Sequence, residues 1–135
     1  MKKIFLIIFL LLFCCNRNNV NWYEGSLPEA LENSKEKIIM VDFYADWWSP
    51  CKMLDAHTFS NDNVINYISE NFIPLKINAE TKEGSALFQE CNGTGYPLII
   101  FFDKNQNELD RFYGYYPPKE FKIKLENVIN GKNTF

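Results

Sequence analysis

Only one histidine, His57, stands among the 135 residues, and neither a second histidine nor a cluster of other ligands accompanies it. A metal centre needs several such side chains at short, repeated spacing, so no metal is expected and His57 is assigned to the solvent side of a helix. Glycine is scarce, at six residues, and none builds a phosphate-cradling loop. No Ser-His-Asp set and no paired-carboxylate site stands out, and no cofactor is expected. Positive charge is in deficit, with 14 Lys and Arg against 17 Asp and Glu, for a net charge of −3. That balance argues against nucleic acid or an anionic lipid surface as a partner. No internal repeat and no second domain is visible. Only one long apolar run occurs, Ile4 to Phe13, too short for an ordinary membrane span.

What is present begins with that run. Lys2 and Lys3 precede it and Cys14-Cys15 follow, the pattern of a signal peptide. Leu12-Phe13-Cys14-Cys15 resembles a bacterial lipobox, with leucine at −3, a small residue at −1 and the acceptor cysteine at +1. Cys15 is the expected lipidated residue. Cys14 is the alternative, but it would put the bulky Phe13 at −1. A secretory peptide cut elsewhere, or an uncleaved anchor, is the other reading. Cleavage before Cys15 removes Lys2 and Lys3 and takes the formal charge from −3 to −5. Membrane attachment would then come from acyl chains, not from a basic patch. Asn16 to Asn21, polar and asparagine-rich, reads as a tether.

Downstream, Ser26-Leu27-Pro28-Glu29 is a capping box that opens a short helix to about Ser34, with Trp22 and Tyr23 packing on the domain before it. Ile38 to Tyr44 is an apolar, β-branched and aromatic run broken by one acid, Asp42, as expected of a strand buried on both faces. An acid there is costly unless neutral or paired, so Asp42 is a candidate for a raised pKa. Ser49-Pro50 opens the next helix, which carries Met53, Leu54 and His57 and breaks at Thr58-Phe59-Ser60. Cys51 falls in its first turn, where backbone N–H groups favour a thiolate. Ser60 or Asn61 caps a helix with Val64, Ile65, Tyr67 and Ile68 at helical spacing.

Phe72 to Ile77 is a second strand, Asn78 to Gly84 a polar loop, and Ser85 to Cys91 a helix. Leu98 to Phe102 is a third buried strand. Glu108 to Tyr113, alternating polar and apolar, is an antiparallel edge strand. A last helix carries Phe121, Leu125, Val128 and Ile129 on one face and ends at Gly131. Early βα alternation implies parallel pairing, and the late hairpin implies an antiparallel pair.

The stretch Val41-Asp42-Phe43-Tyr44-Ala45-Asp46-Trp47-Trp48-Ser49-Pro50-Cys51-Lys52 resembles thioredoxin, whose strand-turn-helix reads V-D-F-x-A-x-W-C-G-P-C-K. The departure is Trp48, which stands where that family has its first, nucleophilic cysteine; Cys51 keeps the place of the shielded resolving cysteine. Gly95-Tyr96-Pro97 matches the family's cis-proline loop, and Gly114 follows the hairpin as in the family. The run from Thr58-Phe59-Ser60 through Phe72-Ile73-Pro74-Leu75 is similar to the soluble C-terminal domain of the transmembrane disulfide reductases. The resemblance implies an α/β thioredoxin fold, a central mixed sheet of parallel strands plus a C-terminal antiparallel hairpin, flanked by helices. Together with the lipobox, it divides the chain into a lipoprotein signal peptide over 1–14, a tether over 15–21 and a thioredoxin-like domain over 22–131.

In that family Asp42 would relay a proton to and from Cys51, with Lys76 on the adjacent strand a possible partner; the alternative is a buried acid tolerated because it is paired. Cys51 is either a single reactive thiol or a buried relic behaving as a small apolar side chain. Thiol–disulfide exchange needs an attacking thiolate and a second thiol to release the mixed disulfide, and an indole supplies neither. Cys91 is expected as a helix-end core cysteine with no bridge to Cys51. Trp47, Trp48, Ser49, Pro50, Tyr96 and Pro97 are expected to converge on a groove that, in the family, binds an extended segment by backbone pairing. The lipobox and the thioredoxin resemblance together imply an extracytoplasmic lipoprotein on a bacterial membrane, a monomer that binds a protein or peptide partner in this groove. An atypical single-thiol oxidoreductase or redox sensor acting through Cys51 is the alternative. Asn92-Gly93-Thr94 fits a glycosylation sequon but is discounted, because the lipobox implies a bacterium.

Overall fold

The computed structural model describes residues 18–132. The expected signal peptide and both Cys14 and Cys15 lie outside the described residues. Among the described residues, no helix is long and apolar enough to cross a membrane.

Seven residues of unbroken burial potential make β1 (Ile38–Tyr44) the centre of a four-stranded sheet. β2 (Phe72–Asn78) pairs with it in parallel on one side, and β3 (Leu98–Phe102) antiparallel on the other. β4 (Glu108–Tyr113) continues from β3 as the antiparallel edge, giving the order β2-β1-β3-β4. The mixed sheet expected from the βα alternation and the late hairpin is therefore present.

Alternation along β1 sends Ile38, Met40 and Asp42 to one face and Ile39, Val41 and Phe43 to the other. The first face packs with Leu54, Phe59, Val64, Ile68, Phe121 and Leu125. The second packs with Leu27, Ala30, Leu75 and Phe88. Helices thus cover both faces. On the second face lie α1 (Leu27–Glu32) and α4 (Lys82–Glu90). On the first lie α3 (Asp62–Asn71), α5 (Pro118–Lys132) and the short α2 (Ser49–Met53), which runs on into a π-helical turn over Leu54–Thr58.

Local chemistry explains most boundaries. Ser26 and Glu29 form the expected capping box of α1, and of the two candidates for α3 it is Asn61 that caps, accepting from the Asn63 and Val64 amides. Phe59 is fully buried where the π turn ends, with Trp22 and Phe121 edge-on at 4.9 and 5.4 Å.

Three boundaries differ from the sequence expectation. α4 starts at Lys82, not Ser85, because the Thr81 hydroxyl accepts from the Gly84 amide and recruits the preceding polar residues into the first turn. α5 runs through Gly131 to Lys132 instead of ending there; among the described residues nothing lies within 4 Å of a Cβ at that glycine, and it stays in the helix. Residues 18–21, expected as tether, lie along the domain. Val20 is buried in the first core, its amide donating to the Phe59 carbonyl at 3.2 Å, and the Asn18 amide reaches Asp62.

Candidate functional site

The site forms where β1 ends and α2 begins, beside the loop that precedes β3. After the last paired residue of β1, Ala45 is buried, and its carbonyl accepts the Trp48 amide at 3.2 Å. Trp48 is the N-cap residue of α2, in extended backbone and without a side-chain cap. Its carbonyl instead accepts the Cys51 and Lys52 amides, so its side chain is free to point elsewhere. The indole N–H donates to the Tyr96 carbonyl at 2.9 Å. Trp47, 60% exposed, leans edge-on against Trp48, 40% exposed, with ring centroids 5.4 Å apart. Its own N–H donates to a Glu80 carboxylate oxygen at 2.6 Å. Two indoles therefore span from the β2–α4 loop to the β3-preceding loop, each pinned at its nitrogen. Ser49 is exposed and Pro50 half-buried beside them.

The Tyr96–Pro97 peptide bond is cis. The sequence expectation brought the Tyr96 ring to the aromatic rim, but the ring turns inward and packs on Phe88 at 5.2 Å, in the second core. Tyr96 thus presents its main chain, not its phenol, to Trp48. Pro97 is buried, and its carbonyl accepts the Gly114 amide at 2.9 Å. Gly114 follows the hairpin at φ +92, a conformation that glycine adopts without a Cβ penalty.

Beneath this rim Cys51 is buried, 3% exposed. A place in the first helical turn favours a thiolate, but burial wins: it pushes the thiol up, and the Asp42 and Asp55 carboxylates push the same way. A hydrogen bond with the Ala45 backbone and the charge of Lys76 oppose this without reversing it. Cys51 is a free thiol, as is the half-buried Cys91. Cys91 packs with the second core, and neither thiol is bridged.

Asp42 and Lys76 are neighbours in register across β1 and β2, so their side chains share a face. The Lys76 ammonium lies 2.9 Å from Asp42 and 2.6 Å from Asp55. Trp22, Tyr44 and Phe59 surround the same ammonium with rings 4.6–5.4 Å away. Asp42 is 1% exposed, and burial raises its pKa despite the attraction of Lys76. Among the described residues its Oδ1 has no hydrogen-bond partner and its Oδ2 has Lys76 alone. For Lys76 burial favours the neutral form, but the two carboxylates outweigh it and the net direction is upward. Lys76 is therefore a fixed cation between one buried and one half-exposed acid.

Sequence reasoning missed Asp55 and Glu80. The π turn carries Asp55 onto Lys76, and no spacing rule announces such a turn. Glu80 sits in a polar loop that nothing local marks. Lone His57 is exposed, near the Tyr115 ring at 6.4 Å. Among the described residues no group of three or more His, Cys, Asp or Glu side chains is placed to hold a metal.

A thioredoxin-like domain model matches residues 24–129. The thiol:disulfide interchange protein DsbD of Yersinia enterocolitica is 34% identical over 105 residues, which is 76% of this chain and 18% of that protein. DsbD of Pectobacterium atrosepticum is 32% identical over 105 residues, with the same shares. The chain therefore spans under a fifth of these relatives. Among solved structures, the reduced C-terminal domain of Neisseria meningitidis DsbD has 25% identity and a TM-score of 0.62, covering 75% of this chain and 89% of that one. A thioredoxin from Thermus thermophilus shares the fold at 24% identity and a TM-score of 0.70, covering 82% and 88%. With the strand-turn-helix, the loop before β3 and the domain model all in agreement, the chain belongs to the thioredoxin-like domain family, related to DsbD and the disulfide oxidoreductases.

Proposed function

We propose that this protein is a lipoprotein held through Cys15 on the extracytoplasmic side of a bacterial membrane. In this reading its W-x-x-C site lacks dithiol catalysis and acts as a binding module for an extended segment of a protein partner. The observation that carries it is Trp48, whose indole lies against the Tyr96 main chain three residues ahead of a buried Cys51. Exchange through this site would need a sulfur at the rim and a second to resolve it. The rim offers indole instead, and Cys51 is shielded with its thiol pushed up. What remains is a groove of Trp47, Trp48, Ser49, Pro50, Tyr96 and Pro97, with exposed aromatic area suited to a binding anchor. The apolar run Ile4 to Phe13 with Cys14-Cys15 supports the anchored, extracytoplasmic placement.

A second reading rests on a different observation. Among the described residues Asp42 keeps one buried oxygen without a partner. It lies close enough to Cys51 to act on its thiol, although its charge raises that thiol instead of favouring a thiolate. An insulin-type disulfide reduction assay separates the two, comparing wild type, Cys51→Ser and Trp48→Cys. The binding-module reading expects turnover only in Trp48→Cys. Wild-type turnover abolished by Cys51→Ser would overturn it in favour of single-thiol chemistry.

A further inference from the structure

We propose that the Trp48 indole is a displaceable cap on the Tyr96 main chain, which an incoming polypeptide segment must lift before it can pair there. The proposal rests on the groove reading above and adds its regulation.

In an antiparallel ladder a hydrogen-bonded pair exchanges two bonds, using the N–H and the C=O of one residue on each strand. On the loop before β3, Tyr96 carries both groups beside the indole. Pro97 has no N–H, and its carbonyl is already taken by the Gly114 amide. Among the described residues the Tyr96 N–H meets no acceptor, whereas its C=O accepts the Trp48 indole at 2.9 Å. Half of the pairing edge is open and half is closed from within the molecule. The Tyr96 ring, stacked on Phe88, holds this main chain in place.

The cap is built to move. Trp48 is 40% exposed, its side chain makes no helix-capping bond, and α2 is held at that end by main-chain bonds to the Trp48 carbonyl. Swinging the indole out therefore leaves the helix start intact. The closed position is reinforced by Trp47, edge-on at 5.4 Å and fastened to Glu80. The partner this selects is an extended polypeptide with a free N–H opposite Tyr96, since only a donor can replace the indole N–H; proline at that position is excluded. A closed cap lowers apparent affinity by the fraction of molecules that are open. One neutral hydrogen bond of ordinary net strength makes that factor about fivefold.

The test uses a fluorescein-labelled peptide selected from a random display library against the Trp48→Phe protein. Fluorescence polarisation is expected to show it binding wild type about fivefold more weakly. On saturating wild type, the Trp48 indole N–H resonance should shift and exchange faster with solvent, while the Tyr96 amide becomes protected. Trp48→Leu, also without a donor, replaces Trp48→Phe if the latter does not fold. Equal affinity for wild type and variant, with the Tyr96 amide protected, overturns the cap and leaves the groove reading standing. A peptide that leaves the Tyr96 amide unprotected, or no peptide retained at all, removes the groove and the cap with it.

Discussion

The indole nitrogen of Trp48 reaches the carbonyl of Tyr96 at 2.9 Å, joining the start of α2 to the loop before β3. A residue that in the thioredoxin pattern would be a sulfur nucleophile is here a hydrogen-bond donor to main chain. The remaining chemistry of the site is arranged behind that contact, and it makes specific expectations.

Trp48→Cys should create a bridgeable pair. Residues three apart at a helix start have Cα atoms roughly 5 Å apart, inside the Cα separation of about 4.4–6.8 Å that a disulfide spans. Air oxidation of Trp48→Cys is expected to link residues 48 and 51, seen by mass spectrometry of unreduced peptides. Wild type should show no link between Cys51 and Cys91. Linked wild-type peptides would contradict the free state of both thiols in the fold.

Cys51 should resist alkylation in the folded protein. It is buried, and burial pushes its thiol up, so both access and thiolate fraction are low at neutral pH. Iodoacetamide labelling read by peptide mapping should modify half-buried Cys91 faster than Cys51. In urea the two rates should converge. Rapid labelling of native Cys51 would support single-thiol chemistry instead.

The pH dependence of stability follows from Asp42 and Lys76. Asp42 binds its proton at higher pH folded than unfolded. Its contribution therefore falls as pH rises from about 4 through the folded value, and is flat beyond it. Lys76 is shifted upward too, so its contribution holds below about 10.5 and is lost as pH climbs through the folded pKa. Asp42→Asn removes the first effect. Across the acid window the stability of this variant relative to wild type should improve with rising pH, by at most about 1.4 kcal/mol per pH unit. Urea unfolding across that range measures it, and a flat difference would show that Asp42 titrates normally.

Gly84→Ala should destabilise the domain by about 2 kcal/mol through overpacking. A Cβ there would meet the Asn78 carbonyl oxygen at 1.9 Å, and backbone at the end of β2 has little room to retreat. Gly131→Ala, with nothing within 4 Å among the described residues, should stay within about 0.5 kcal/mol of wild type. Urea midpoints at unchanged slope distinguish the two.

Much of this was legible in the chain. An apolar run with a single acid identifies β1, and the same run makes Asp42 anomalous enough to require a partner. Lys76, the one charge within the next apolar strand, is the natural candidate, and parallel register brings the two together. Capping residues mark α1 and α3 because their side chains act on amides two or three positions away. Where the reading slipped, the cause was context. Thr81 recruits a polar stretch into α4, and Gly131 remains helical because a helix already docked along its length does not stop at one permissive residue.

The residues alone determined where the hydrophobic runs fall along the chain, that tryptophan stands at position 48 and that one acid interrupts an apolar strand, since these depend on neighbours along the chain. Only the folded chain decided that Tyr96 turns its ring to Phe88 and its carbonyl to Trp48, that Asp55 closes on Lys76, and that Cys51 is raised by burial against the pull of its helix. Each of those outcomes is set by groups far apart in sequence competing for one site. The winner depends on distance and solvent access, which no local pattern encodes.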